Sequence, residues 1–195
     1  MNTRIDKTTL LNTLSLWNSY LKRKVRIIAC GGTALTLMNL KESTKDVDFL
    51  IPERNEYRYL IKNMMDLGYK QTTGTGWQKN KGFIFDLFVG KTIFTTELLE
   101  SPLEPGNHIP FKEFSSIYLG ILNYYDLIIS KLFRFTPVDT DDCVTLFKKK
   151  NREIHLDKLK SRFYETSAYD ISDEQNRNNF KDFLELLKKE KILDG

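Results

Sequence analysis

Short apolar runs that read as strands alternate along this chain with longer stretches in which apolar residues recur at helical spacing. The first periodic stretch, near Lys7 to Leu21, puts Leu10, Leu11, Leu14 and Trp17 on one face and predicts an amphipathic helix packed on a core. Val25 to Cys30 predicts a buried strand that runs straight into Gly31-Gly32. Thr33 is placed to cap a short helix over Ala34 to Leu40, and the polar loop Lys41 to Lys45 leads into a second strand, Asp46 to Ile51. Asn55 to Leu67 reads as a helix ended by Gly68. Tyr69 to Gln71 and Trp77 to Lys79 flank a Thr/Gly-rich loop, Thr72 to Gly76, and predict a hairpin arm leading to a strand over Phe83 to Val89. That loop reads either as a flexible turn or as an element touching substrate.

The Pro-, Gly- and Asn-containing segment Ser101 to Pro110 reads as a connection, Ile117 to Ile121 as a further buried strand, and Tyr125 to Phe135 as a helix. Two or three more helices close the chain, the last over Ser172 to Lys191 with Phe180, Phe183, Leu184 and Leu187 on one face. The sum is an α+β fold with a mixed central sheet and flanking helices. Its expected organisation is a core over residues 1–146 and a helical C-terminal extension over 147–195.

Composition narrows the class. The chain has 195 residues, 41% hydrophobic and 29% charged, enough for one sizeable core. Of its two cysteines, Cys30 falls in a predicted buried strand and Cys143 on a predicted helix, so no disulfide framework is indicated and a reducing compartment is expected. Met1 to Leu10 is polar and no apolar run approaches a membrane span, which predicts a cytoplasmic protein. The net charge of +4 permits a polyanionic partner without demanding one. Lys148-Lys149-Lys150, Arg152, Lys158, Lys160 and Arg162 form the one regional charge bias, which fits a solvated helix surface and an RNA-backbone contact equally. His108 has no second histidine or cysteine at ligand spacing and reads as a surface loop residue.

The chemistry concentrates where the first two strands meet the glycines. Glycine lets backbone approach a phosphate closely, and the start of a helix favours an anion, so Gly31, Gly32 and Thr33 are candidates to cradle a triphosphate. Separated from Gly32 by thirteen residues, Asp46 and Asp48 lie two apart and share one face of their strand. Such carboxylates repel unless a cation lies between them, and hard oxygen ligands suit Mg²⁺ or Mn²⁺. Asp86 interrupts an otherwise apolar strand, sharing a face with Ile84 and Phe88, where an unpaired acid would be costly. It either reaches water at a sheet edge or completes a metal site. On the helix Tyr125 to Phe135, Asp126, Ser130 and Arg134 make a polar stripe, whereas Lys131 falls inside the apolar arc of Leu127, Ile128, Leu132 and Phe135. Its ammonium either snorkels to solvent or emerges in a cleft to meet phosphate or the acids.

Cys30-Gly31-Gly32-Thr33 followed by Asp46-Val47-Asp48-Phe49 resembles the signature of the nucleotidyltransferase superfamily related to DNA polymerase beta. The wording Gly31-Gly32-Thr33-Ala34-Leu35 and the approach Thr44-Lys45-Asp46-Val47-Asp48 resemble its AbiEii-like branch of bacterial toxins, over about Val25 to Phe147. The resemblance implies that Asp46, Asp48 and Asp86 hold the metal ions and that Asp86 helps deprotonate the acceptor. It implies that Lys131 binds nucleotide phosphate and that Asp142, within Asp139-Thr140-Asp141-Asp142, is a further site residue, although Asp139 also reads as the cap of the next helix. Many active members carry Ser at the position of Gly32, a role Thr33 would replace. The activity implied is transfer of a nucleoside monophosphate from a nucleoside triphosphate to an acceptor hydroxyl, with RNA or tRNA as acceptor and a toxin role beside an antitoxin partner. The alternatives are a non-catalytic nucleotide-binding or protein-interaction module, and a transferase acting on protein or a small molecule such as an antibiotic.

Overall fold

The computed structural model describes residues 4–193; residues 1–3 and 194–195, the outer ends of the two expected segments, lie outside them. The chain divides into two compact units, the first comprising the chain up to Thr92 with Glu100–Leu122, and the second Ile93–Leu99 with the chain from Asn123 onward. The division therefore falls well before the expected boundary at 146/147, which lies inside a helix.

In chain order the first unit starts with β1 (Ile5–Asp6), α1 (Lys7–Tyr20), β2 (Val25–Ala29), α2 (Gly31–Leu37), β3 (Ser43–Thr44) and β4 (Val47–Ile51). It continues with α3 (Arg54–Asp66), β5 (Lys70–Gln71), β6 (Gly76–Gln78) and β7 (Ile84–Val89). A small pair follows, β8 (Thr92–Ile93) at the point of division and β9 (Thr96–Glu97) in the second unit's segment, and the first unit then resumes with β10 (His108–Glu113) and β11 (Ile117–Leu122). Seven strands make one mixed sheet in the order β10-β11-β2-β4-β7-β6-β5. β11 runs parallel to β2 and β4 parallel to β7, while β2 and β4 are antiparallel.

The central strands are apolar because both their faces are covered. All five residues of β4 are buried. One face carries Phe85 with its register partners Val47 and Trp77. Trp17 of α1 packs on Phe85 with ring centroids 4.8 Å apart and donates its indole N–H to the Tyr69 hydroxyl at 3.1 Å. The other face carries Asp86 and its partners Asp48 and Gly76. Two local expectations change. The segment read as the loop Lys41 to Lys45 contains β3, which pairs with β1. His108, read as a surface loop residue, opens β10, with Nδ1 against the Pro102 carbonyl and Nε2 against the Tyr118 hydroxyl, each at 2.6 Å.

The second unit contains α4 (Tyr124–Arg134), α5 (Pro137–Lys149), α6 (Leu156–Ser167) and α7 (Asp173–Lys189). Asn123 caps α4 by accepting the Asp126 N–H at 2.9 Å, and Phe135 ends it in the left-handed region at φ 50°. Every residue from Asp126 to Leu132 is buried. The stripe Asp126, Ser130, Arg134 is thus not a solvent face, because α5, α6 and α7 all pack against α4. Asp126 is held by the Arg162 guanidinium through Nε at 2.6 Å and Nη2 at 2.8 Å. Phe163 and Phe180 stack at 4.2 Å and close the apolar interior between α6 and α7.

Candidate active site

Three carboxylates share one face of the sheet in the first unit. Asp48 of β4 and Asp86 of β7 are register partners on neighbouring parallel strands, and Asp46, two residues before Asp48, lies on the same face by strand alternation. Asp48 is only 7% exposed, Asp86 is half-buried and Asp46 is exposed. Like charges set opposite each other on adjacent strands oppose folding. Asp46 registers this: partial loss of hydration, then the charge of Asp86, raise its carboxyl above the ordinary value against the opposing pull of Lys45. Asp86 Oδ1 accepts the Thr75 hydroxyl at 2.8 Å. Among the described residues, no three or more His, Cys, Asp or Glu side chains converge closely enough to hold a single ion.

The glycine turn is fitted to the acid strand. Gly31 adopts φ +54°, and a Cβ there would lie 2.1 Å from Asp48 Oδ2, so any side chain is excluded both by conformation and by the carboxylate. A Cβ on Gly32 would lie 2.7 Å from the Thr44 hydroxyl. The helix starts earlier than expected, at Gly31 with Cys30 as its N-cap, so Thr33 is not the cap. Thr33 is fully buried inside α2, and its hydroxyl oxygen accepts the Asp48 N–H at 2.8 Å. The Asp46 carbonyl accepts the Thr44 hydroxyl at 3.0 Å and the Thr33 hydroxyl at 3.5 Å. Hydroxyls therefore fix the backbone across Asp46-Val47-Asp48. Thr44 and Thr75 were missed by sequence reasoning. Thr44 had a local signal, a hydroxyl two residues before Asp46 as in a side-chain turn, whereas Thr75 depends on the strand pairing.

Lys131 and Asp142 lie together in the second unit. Lys131 is 2% exposed, and its ammonium donates to Asp142 Oδ2 at 2.7 Å and to Asp139 Oδ1 at 3.2 Å. The lysine does not snorkel to solvent; two carboxylates of α5 meet it inside the unit. Arg134 also donates to Asp139, and its guanidinium lies 3.8 Å from the centre of the Phe94 ring. Asp139 is not the cap of α5: Thr136 is, accepting the Asp139 N–H at 3.2 Å while donating its hydroxyl to Asp139 Oδ2 at 2.7 Å. Burial pushes the Lys131 ammonium down, but the charge and hydrogen bond of Asp142, then Asp139, leave it raised. Burial pushes Asp139 up, but Thr136, Lys131 and Arg134 leave it lowered. The cluster joins α4 to α5 through the pairing of Lys131 and Arg134 with Asp139 and of Lys131 with Asp142.

Within the basic cluster Arg162 is committed to Asp126 and Lys150 to Glu153, so these two charges serve the second unit's own packing. Cys30 and Cys143 are buried and form no disulfide. Among the described residues, no helix is long and apolar enough to cross a membrane.

A family described as "Nucleotidyltransferase of unknown function (DUF6036)" matches residues 107–191. This stretch is less than half of the chain; it takes in β10, β11 and the four helices of the second unit, and lies beyond Gly31, Asp46, Asp48 and Asp86. No curated protein matches the chain. Among solved structures, the crystal structure of ANT(2")-Ia in complex with adenylyl-2"-tobramycin is similar, with a TM-score of 0.56 at 13% identity over 83% of this chain and 97% of that one. A likeness at that identity is one of architecture. The seven-stranded mixed sheet with its helices is a nucleotidyltransferase fold.

Proposed function

We propose that this chain is a metal-dependent nucleotidyltransferase that moves a nucleoside monophosphate from a nucleoside triphosphate to an acceptor hydroxyl and releases pyrophosphate. The observation that carries this reading is the in-register pair Asp48 and Asp86 on parallel strands, with Asp46 on the same face and Gly31 packed against the Asp48 carboxylate. A domain gains nothing in stability by placing carboxylates opposite one another. Carboxylates are the donor type that suits a hard divalent cation, and Asp46, Asp48 and Asp86 would hold one by turning toward it. When bound, Mg²⁺ or Mn²⁺ would neutralise charge on the reacting phosphate and the leaving pyrophosphate.

The chain's own residues supply the rest. Asp86 takes the proton of the acceptor hydroxyl as that oxygen bonds to the α-phosphorus; the bond from the α-phosphorus to the bridging oxygen breaks, and pyrophosphate leaves with the electron pair. Gly31 and Gly32 bring backbone close to the phosphates, and Thr33 acts by holding the acid strand in place. Lys131 and Asp142 act by fixing α4 to α5, and phosphate contact by Lys131 would require its pair with Asp142 to open.

Two observations favour different acceptors. The AbiEii-like wording of Gly31 to Leu35 and Thr44 to Asp48 favours RNA or tRNA, with the chain acting in the cytoplasm as a toxin restrained by an antitoxin. The fold shared with an enzyme caught with adenylyl-2"-tobramycin favours the hydroxyl of a small molecule such as an aminoglycoside. The test incubates full-length protein with each α-labelled nucleoside triphosphate and Mg²⁺ or Mn²⁺, in separate arms with total RNA, cell protein and tobramycin. Label entering one arm, and abolished by Asp48→Asn, names acceptor and reaction together. Absence of both transfer and metal-dependent nucleotide binding overturns the reading in favour of a non-catalytic module.

A further inference from the structure

The loop between β5 and β6 is built around the candidate base. Gly76 is the register partner of Asp86 on the side away from Asp48, so Asp86 is flanked by a carboxylate on one strand and by no side chain on the other. The space beside Gly76 is filled from the loop and from β7: a Cβ there would lie 2.4 Å from Thr73 Oγ1, 3.1 Å from Ile84 Cγ2 and 3.3 Å from Thr72 Oγ1. These hydroxyls are tied to the loop itself, Thr73 accepting the Gly76 N–H at 3.0 Å and Thr72 donating to the Gly76 carbonyl at 3.3 Å. The Gly76 carbonyl also accepts the Thr72 N–H at 2.8 Å. Thr75 is pinned twice to β7, its carbonyl accepting the Leu87 N–H at 3.0 Å and its hydroxyl donating to Asp86 Oδ1 at 2.8 Å. A segment whose composition reads as a flexible turn is thus a small hydrogen-bonded cage pinned to β7 at Leu87 and Asp86.

We propose that Thr75 is a positioning residue: its hydroxyl fixes Asp86 Oδ1, leaving Oδ2 to take the acceptor's proton. This rests on the transferase reading above. A carboxylate on a half-buried strand has a soft terminal torsion, and one directed donor removes that freedom before substrate arrives. The hydroxyl proton of Thr75 stays on Thr75 throughout; only the acceptor's proton moves. The glycine opposite Asp86 puts no side chain of its own on the side where Asp48 does not stand.

The test compares full-length wild type, Thr75→Val, Thr75→Ser and Asp86→Asn. Readouts are label transfer from α-labelled triphosphate with Mg²⁺ (kcat, and KM for the triphosphate), Mn²⁺ binding by electron paramagnetic resonance, and melting temperature. Removing a group that orients a reacting side chain costs about 10- to 100-fold. We expect that loss in kcat for Thr75→Val, with KM and melting temperature held and activity restored in Thr75→Ser. A merely structural threonine would instead lower the melting temperature or leave kcat unchanged, and either result in an active enzyme overturns the inference. Wild type that neither transfers label nor binds Mn²⁺ overturns the transferase reading itself, and the role of Thr75 falls with it.

Discussion

The two units treat buried and half-buried acids in opposite ways. In the second unit, Asp126 is gripped by the Arg162 guanidinium, and Asp139 meets Lys131, Arg134 and Thr136, so that its carboxyl ends below the ordinary value. In the first unit, Asp48 faces Asp86 across parallel strands, and Asp46 ends above the ordinary value with Asp86 among the causes. Both regions concentrate charge, but the second sets its acids against bases whereas the first sets Asp48 opposite Asp86. Clustered acids matched to bases are a way of fixing helices; clustered acids set against each other on a rigid sheet cost stability and make sense as a site for an external cation. Under the proposed function the contrast would give structure to one cluster and chemistry to the other, though both lay in stretches that resembled one family's functional motifs.

The sharpest way to break this contrast is to neutralise one acid from each cluster. Asp48→Asn is expected to abolish transfer, since loss of metal-assisted charge stabilisation is worth several kcal/mol, on the order of 1,000-fold in rate. Asp139→Asn is expected to leave the turnover of folded molecules within a few-fold while lowering the urea midpoint. Kinetics and urea unfolding on the same preparations check both. The contrast collapses if the two variants lose activity equally at equal folded fraction.

Lys131→Met tests the second cluster directly. It leaves Asp139 and Asp142 buried with one cation fewer, and breaking a buried pair from one side costs about 3–5 kcal/mol. The urea midpoint should fall accordingly, with KM for the triphosphate unchanged in the folded fraction. A raised KM at unaltered stability would instead give Lys131 to the phosphates. Gly31→Ala is expected to harm the first unit, because the methyl would meet Asp48 Oδ2 at 2.1 Å in a left-handed backbone. Its signature is loss of Mn²⁺ binding together with a drop of about 1–3 kcal/mol in stability.

The strands and helices of the core were legible because each buried element has one dominant period: Val25 to Ala29 and Val47 to Ile51 are continuous apolar runs, and Leu10, Leu14 and Trp17 recur at helical spacing. The co-facial placement of Asp46 and Asp48 was legible for the same reason. What escaped was whatever pairing decides. Thr33 and Thr75 look like a cap and a turn residue until α2 packs on β4 and β7 finds β6. The partner of the polar stripe on α4 stayed hidden because periodicity cannot tell a wet face from one whose charges meet Arg162. The boundary at Asn123 was hidden because α4 carries motif residues yet packs with the helices that follow it.

The smallest effect sharpens the comparison by sign. Asp139, lowered in the folded protein, contributes stability that is present above the ordinary carboxylate value of 3.8 and is lost as pH falls through its lower folded value. Asp46, raised in the folded protein, does the reverse: its ionisation opposes folding, fully so above its raised value, and the cost vanishes as pH falls below the ordinary one. Urea unfolding in a chelator, from about pH 7.5 to about pH 3.5, should therefore show Asp46→Asn slightly more stable than wild type at neutral pH, with the gain shrinking toward acid. Asp139→Asn should be less stable at neutral pH, with its deficit shrinking only at the acid end. Saturating Mg²⁺ should then stabilise wild type through linkage and erase the advantage of Asp46→Asn, because the cation takes over the repulsion that the asparagine had removed. If Asp46→Asn instead destabilises the chelated protein as Asp139→Asn does, the acid face is a second structural cluster, and the division of labour between the two units is lost.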